Sequence, residues 1–313
     1  MKKEIKWFVV MILFLAVTTV CFSSEKPEVA VLLPGSVEFF SVERIGLNQA
    51  AEEFGLELLY ADAQWDAGMQ LSQVENYIAR GVDLILLCAA DNMALRSAVN
   101  ACKNAGVPLI TFTNTVGPDP LGKYPGVISF IGRSDYNGGV LQGHIVEDIV
   151  GSEEVDIVLI EGNPGTAPQR LREEGFLSVA ANNPNWNIIE KRPIKGWTKE
   201  GTLEFMEAFI QTGKNVDIVA CQWWSGAIAA SMALKERGIE DVKIIGLEFA
   251  KELVPYIENG DIYATTYFSV VEEGYKAVEA AYKYLNGETI PEFIEIEQVV
   301  VTKDNIDEFE PEM

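Results

Sequence analysis

Between Tyr77 and Thr113 the chain reads as helix, strand, helix, strand, with almost nothing between. The first helix ends at Gly81. Asp83 to Leu87 is a short apolar strand, and Asn92 to Ala105 has the spacing of a second helix. Gly106 stops it, and Val107 to Phe112 is another apolar strand. Strands apolar on both faces that alternate with helices belong in a parallel sheet covered on both sides. Ligands of such sheets sit beyond the carboxyl ends of the strands. That places Ala89–Asn92 and Thr113–Asn114 at a cleft.

The alternation runs through most of the chain. Strands are expected at Val29–Leu33, Leu56–Tyr60, Val127–Ile131, Val155–Ile160, Asn187–Lys191, Val216–Cys221, Val242–Gly246 and Ile262–Tyr267. Helices are expected at Ser41–Phe54, Gly68–Ala79, Asn137–Val150, Ala167–Asn182, Lys199–Thr212, Ser225–Arg237, Lys251–Asn259 and Val270–Leu285. About ten strands in 313 residues fit two sheets of five or six better than one. The Gly/Pro-rich stretch Gly117–Gly122 is a surface loop ahead of a crossover near Gly132–Ser134.

Residues 1–24 stand apart. Lys2, Lys3 and Lys6 precede the apolar run Trp7–Val20, and small residues follow at Cys21, Ser23 and Ser24. This is the layout of a secretory signal, with cleavage expected after Ser23. Thr18-Thr19-Val20 is a poor lead-in for lipidation at Cys21, so a lipid anchor is not favoured. The protein is expected to be exported, to the periplasm or the outer face of the cytoplasmic membrane. The formal charge is −23, and the leader carries three Lys and one Glu, so its removal leaves the rest near −25. That excludes nucleic acid as a partner and disfavours anionic lipid, since both need a basic face. Cys88, Cys102 and Cys221 are odd in number and form no CxxC pair, so they read as buried thiols.

Enzyme signatures are missing. There is no GxSxG, P-loop or HExxH, and Gly35 stands outside any GxGxxG. The one histidine, His144, lies inside a helix and reads as structural. No catalytic activity, cofactor or metal is expected. The strand ends carry more. Phe39 and Phe40 follow the first strand, and Gly162–Thr166 with Arg170 and Arg172 follow the sixth. Trp197 precedes a helix. Gln222-Trp223-Trp224, Glu248 and Phe268 each follow a strand. Arginines in a helix's first turns oppose its dipole and need a carboxylate or a ligand hydroxyl to hold them. Aromatic faces with a few polar groups suit a sugar or cyclitol ring.

On these residues the chain resembles the type I periplasmic sugar-binding proteins, the class of ribose, glucose/galactose, xylose and inositol receptors. The matching stretches are Phe39-Phe40, Gln73–Phe112, Ile131–Asp135 with Gly138-Gly139, Gly165-Thr166 through Arg172–Phe176, Ile245–Glu248 and Ala264-Thr265. The resemblance implies an α/β fold of two doubly wound parallel-sheet lobes joined by a three-segment hinge. It implies an N-terminal lobe of residues 25–132 plus 268–294 and a C-terminal lobe of 133–267 plus 295–313. It also implies that Phe39 and Phe40 stack on the ligand ring opposite Trp197, and that Arg172 and Glu248 meet its hydroxyls. The chain departs from the pattern at Thr113-Asn114, where Asp-Arg is common, at Trp223 and Phe268, where amides are common, and at Val37. It also lacks a D-x-[DN]-x-[DN]-G calcium loop. The pocket should be more apolar than those of the best-known receptors. The implied function is delivery of a sugar or sugar-like polyol to an ABC permease by a monomeric receptor. Receptors of the same fold for a nucleoside or an autoinducer-like molecule, or serving a chemotaxis or sensor-kinase partner, stay open. A sugar-responsive repressor would need a helix-turn-helix domain and basic charge.

Overall fold

The computed structural model describes residues 26–313, so the expected leader and Cys21 lie outside the described residues. Two six-stranded sheets stand side by side. The first contains β1 (Glu28–Leu33), β2 (Glu57–Asp62), β3 (Leu84–Leu87), β4 (Leu109–Phe112), β5 (Phe130–Gly132) and β11 (Phe293–Glu295). Its order is β11-β5-β4-β3-β1-β2, and every pair is parallel. The second contains β6 (Val155–Glu161), β7 (Trp186–Pro193), β8 (Ile218–Cys221), β9 (Lys243–Ile245), β10 (Ala264–Tyr267) and β12 (Val299–Thr302). Its order is β12-β10-β9-β8-β6-β7, parallel except that the edge strand β12 runs antiparallel to β10.

Each sheet is covered on both faces because its central strands are apolar on both. Leu84 to Leu87 are fully buried. Successive side chains point to opposite faces, so Leu84 and Leu86 join one core cluster while Ile85 and Leu87 join another. The helices of the first lobe are α1 (Glu38–Phe54), α2 (Ala67–Arg80), α3 (Arg96–Ala105) and α9 (Val270–Leu285). Those of the second are α4 (Asp135–Val150), α5 (Ala167–Ala180), α6 (Lys199–Gln211), α7 (Trp224–Glu236) and α8 (Val254–Glu258). Three crossings between named elements join the lobes, from β5 into α4, from β10 into α9, and from β11 to β12; beyond β12 the last residues of the chain make a fourth passage, back to the first lobe. Glu312 accepts hydrogen bonds from Ser269 Oγ and Val271 N at 2.6 and 2.9 Å, and Met313 joins that lobe's core.

Two helix pairs pack close enough to require glycine. A Cβ on Gly139 of α4 would lie 2.0 Å from the Arg172 carbonyl oxygen of α5, and one on Gly175 would lie 2.0 Å from that of Tyr136. Gly46 and Gly274 allow the same approach of α1 and α9.

Several expected boundaries move. α1 starts at Glu38 rather than Ser41, so Phe39 and Phe40 lie in its first turn and not before it. α3 starts at Arg96 rather than Asn92. Asn92 is spent otherwise: its N–H donates to Gly165 O at 3.1 Å and its side chain to Gly117 O at 2.9 Å. β5 is shorter than expected, and β11 and β12 were not anticipated. The expected helix at Lys251–Asn259 is a 3-10 turn followed by the five residues of α8. Cys88, Cys102 and Cys221 are free and buried. His144 is exposed, its Nδ1 2.7 Å from Glu147 Oε2.

Candidate functional site between the lobes

In both sheets the direction of strand succession reverses beside the first strand, between β1 and β3 and between β6 and β8. Loops leaving those neighbours diverge and open a crevice at the carboxyl ends of the strands. The two crevices face each other and enclose a cavity of about 380 Å3. Besides the bond from Lys251 N to Met313 O at 2.7 Å, two direct hydrogen bonds join loops of the two lobes outside the cavity lining. One is the Asn92 to Gly165 bond, and the other runs from Arg170 Nη2 to Pro118 O at 3.3 Å.

The aromatic walls are built alike in the two lobes. Trp65 follows β2 and Trp197 follows β7, and both line the cavity. Each indole lies over a glycine at the end of the strand beside it. A Cβ on Gly35 would sit 2.4 Å from Trp65 Nε1, and one on Gly162 would sit 1.8 Å from the Trp197 ring. Phe40 packs on Trp65 at 6.2 Å between centroids and on Phe39 at 5.4 Å, edge to face. On the other side Trp197 meets Trp223 at 5.4 Å, nearly perpendicular. Asn163 Oδ1 holds the Trp197 turn by accepting the Gly196 N–H at 2.8 Å. Trp223 Nε1 donates to Ser225 Oγ at 3.0 Å.

The backbone is strained where it meets the cavity. Among the described residues the non-glycine residues with positive φ are Gln64, Trp65, Thr113, Trp197 and Glu248, and the last four line the cavity. Such conformations cost of order 1–3 kcal/mol each and persist where surrounding structure enforces them.

The polar floor is a ladder of arginines and carboxylates. Arg172, on the second turn of α5, donates to Asp135 Oδ1 and Glu248 Oε1, both at 2.9 Å, and to the Gln222 carbonyl. These partners answer its unfavourable place on the helix. Arg133, in the crossing from β5 to α4, donates through Nη1 to both Glu273 oxygens at 3.0 and 3.1 Å. Its guanidinium carbon stands 5.2 Å from the Phe39 ring centre and 4.5 Å from that of Phe268. Burial opposes the charge on Arg133, but the carboxylates of Glu273 and Asp135 outweigh it and hold the guanidinium protonated. Glu43 of α1 lies beneath, fully buried. Its Oε1 accepts from the Thr113 hydroxyl, and its Oε2 has no partner. Burial, then the nearby Glu273, pushes the Glu43 carboxyl well above the ordinary carboxylate range. Burial raises Glu273 as well, against the pull of Arg133.

Of the residues expected from sequence, Phe39, Phe40, Thr113, Asn114, Arg172, Trp197, Trp223 and Glu248 line this cavity. Gln222 and Phe268 do not. The Gln222 side chain accepts from Gly162 N at 2.9 Å and donates to Gln169 O at 3.0 Å, bracing the loop after β6. Phe268 packs behind Phe39 at 6.1 Å. Trp65, Arg133, Trp224 and Lys199 also line the cavity. Trp65 and Arg133 each follow a strand, and the strand-end rule applied evenly would have found both. Among the described residues no group of three or more His, Cys, Asp or Glu could hold a metal ion, and no helix is long and apolar enough to cross a membrane.

Known proteins are similar to this chain in sequence and in fold. The chain is 26% identical to the ribose import binding protein of Escherichia coli K12, over 85% of this chain and 86% of that one. It is 24% identical to a xylitol-binding protein of Mycolicibacterium smegmatis, over 91% of this chain and 80% of the other. An ABC transporter solute binding protein from Bacillus halodurans, solved with bound myo-inositol, has the same fold: TM-score 0.84, 24% identity, 92% of this chain and 98% of that one. A family model described as periplasmic binding protein domain matches residues 29–289. The chain therefore belongs to the periplasmic binding protein family.

Proposed function

We propose that the protein is an exported receptor that binds one sugar or sugar-like polyol between its lobes and delivers it, chemically unchanged, to an ABC permease. The observation that carries this reading is the cavity's composition: aromatic rings on two facing walls over a floor of mutually neutralised charges. The rings offer apolar faces to ring C–H groups. Arg172 already has its carboxylates, so the ligand need carry no charge to balance it. Glu248 Oε2 makes no hydrogen bond among the described residues and is free to accept from a hydroxyl. A hydroxyl both donates and accepts, and this floor offers both roles. The volume lies near the lower limit for small-molecule pockets, which suits a single ring.

The mechanism is closure. The lobes move as two bodies about the three crossings: residues 26–132 with 268–294 and the returning Glu312-Met313, and residues 133–267 with 295–311, where the expected second lobe ran to 313. A ligand that touches both walls binds the closed form better and shifts the equilibrium toward it. The closed face is what a permease recognises, and a monomer suffices.

The test is a thermal-shift screen of the mature chain, unfolded and refolded to empty it. Pentoses, hexoses, cyclitols, linear polyols and nucleosides form the panel. One monosaccharide or polyol should raise the melting temperature through mass action. Trp197→Ala and Trp223→Ala should each weaken that ligand about 30-fold while the fold survives, the loss of one buried aromatic anchor at about 2 kcal/mol. A shift with a nucleoside alone overturns the ligand class. Unchanged affinity in both variants overturns the site.

A further inference from the structure

Resting on the receptor reading, we propose that Arg133 is a specificity-determining residue: its guanidinium reads a ligand hydroxyl from the first-lobe side and ties that contact to two of the three interlobe crossings. β4 ends in the neutral pair Thr113-Asn114, and Asn114 spends its amide nitrogen on Ala89 O at 2.8 Å. Among the cavity-lining residues of the first lobe and its crossing, Ser36 to Arg133, Arg133 is the cation. It is 2% exposed, so solvent screens its contacts little.

The guanidinium is only partly used. Nη1 is held by Glu273. Nε is buried and has no hydrogen-bond partner, and the nearest carboxylate oxygen, on Asp135, stands 3.6 Å away. Nη2 makes no hydrogen bond among the described residues. Leaving a buried charged donor unpaired is costly. A ligand hydroxyl accepting from Nη2, the unbonded donor that is not among the fully buried atoms, gives the guanidinium a further partner only in the occupied protein. The interaction therefore favours the ligand-bound state over the empty one, which is what a selective contact requires.

Location gives the contact a second consequence. Arg133 is part of the crossing from β5 into α4. Glu273 stands in the first turn of α9, directly after the crossing from β10. A Cβ on Gly132 would come 2.8 Å from Glu273 Oε1, so the first crossing is shaped to let this carboxylate in. Ligand, first crossing and second crossing are thus joined through one planar group, whose orientation is set by the Glu273 bond and by the Phe39 and Phe268 faces. Lysine could keep the charge opposite Glu273. It could not also present a second donor in a fixed plane.

The experiment is calorimetric titration of the refolded chain and of Arg133→Lys with myo-inositol, xylitol and D-ribose. Single-deoxy analogues of whichever probe binds are titrated beside it. We expect Arg133→Lys to bind that probe about 10- to 100-fold more weakly, as for a lost charge-assisted hydrogen bond. We also expect one deoxy analogue to lose affinity in the natural chain but not in Arg133→Lys. If Arg133→Lys does not fold, the Arg133→Gln/Glu273→Gln double variant keeps the pair neutral and is read by the same ratios. A probe that binds the natural chain and the variant equally, with the same penalty for every deoxy position, overturns the inference and leaves the receptor reading intact. Failure of all three probes and of the wider screen to bind the natural chain overturns both.

Discussion

Glu43→Gln should make the protein more stable as pH rises, relative to the natural chain. Glu43 is a carboxyl on α1 with no exposure. The Thr113 hydroxyl donates to it, while Glu273 of α9 opposes its ionisation and Arg133 favours it. Burial is the largest influence, and it raises the carboxyl well above the ordinary 4.5. The folded chain therefore keeps a proton that the unfolded chain gives up. Its contribution to stability is fully present below about pH 4.5. It falls as pH rises, until the folded carboxyl ionises too. The slope is that of one proton, about 1.4 kcal/mol for each pH unit over which only the unfolded chain has lost it. Glutamine has nearly the same shape, its Oε1 can accept from Thr113, and it carries no such penalty. Glu273 is raised in the same direction, and while Glu43 stays protonated in the folded chain Glu273 faces a neutral partner in both proteins, so its own titration cancels over that range. Urea unfolding of both proteins at half-unit steps from pH 4.5 to 8 gives that difference directly. It should start near zero and climb with a slope approaching one proton. A difference that stays flat across the series would mean that Glu43 is ionised inside the folded protein, and the reasoning from burial would be wrong.

Gly139→Ala should destabilise the chain by about 1–3 kcal/mol, because the new methyl meets the Arg172 carbonyl and α4 must move off α5; denaturant midpoints read the stability, and a ligand titration should weaken too, since α5 carries Arg172. Trp65→Ala should weaken the ligand of the thermal-shift screen about as much as Trp197→Ala does, given the matching placement of the two indoles; an unchanged dissociation constant would show that the first wall is made by Phe39 and Phe40 alone. Asp66→Ala removes the acceptor of the Met69 N–H at 2.7 Å that caps α2, and should cost about 1 kcal/mol, read as a lower midpoint of unfolding. The three thiols should stay inert to a chromogenic disulfide reagent until the chain unfolds, since burial pushes Cys102 up to about 12 and Cys221 higher still; rapid reaction in the folded protein would contradict their burial.

The central strands were legible because they are buried on both faces, so each reads as an unbroken apolar run such as Leu84–Leu87. β11 and β12 carry no such signature. They are edge strands of three and four residues, held by partners far away in sequence, and Phe-Ile-Glu alone does not announce a strand. The start of α1 was missed for a related reason. Its N-cap is Val37, whose side chain makes no capping bond, so the usual polar marker is missing. Arg172 was legible as an anomaly, a cation placed against a helix dipole, and the anomaly led to its carboxylates. Trp65 and Arg133 also follow strands and were open to the strand-end rule, but the role of each shows only in three-dimensional company. Trp65 matches Trp197 only when the two lobes are seen as copies of one pattern. Arg133 matters through Glu273, which lies 140 residues further along the chain.

The two loop-to-loop hydrogen bonds between the lobes, from Asn92 to Gly165 and from Arg170 to Pro118, are made by protein alone. A receptor with such bonds has a built-in tendency to shut while empty. Every 1.4 kcal/mol they contribute raises the population of the shut form about tenfold, and with it the apparent affinity for cargo, as long as the open form predominates. The same free energy makes the empty receptor look like the loaded one. For a transporter that judges its receptor by outline, stronger bonds between these loops mean tighter capture but more fruitless dockings. In the proposed receptor, the strength of two bonds outside the cavity lining would thus set how faithfully a transporter tells full from empty.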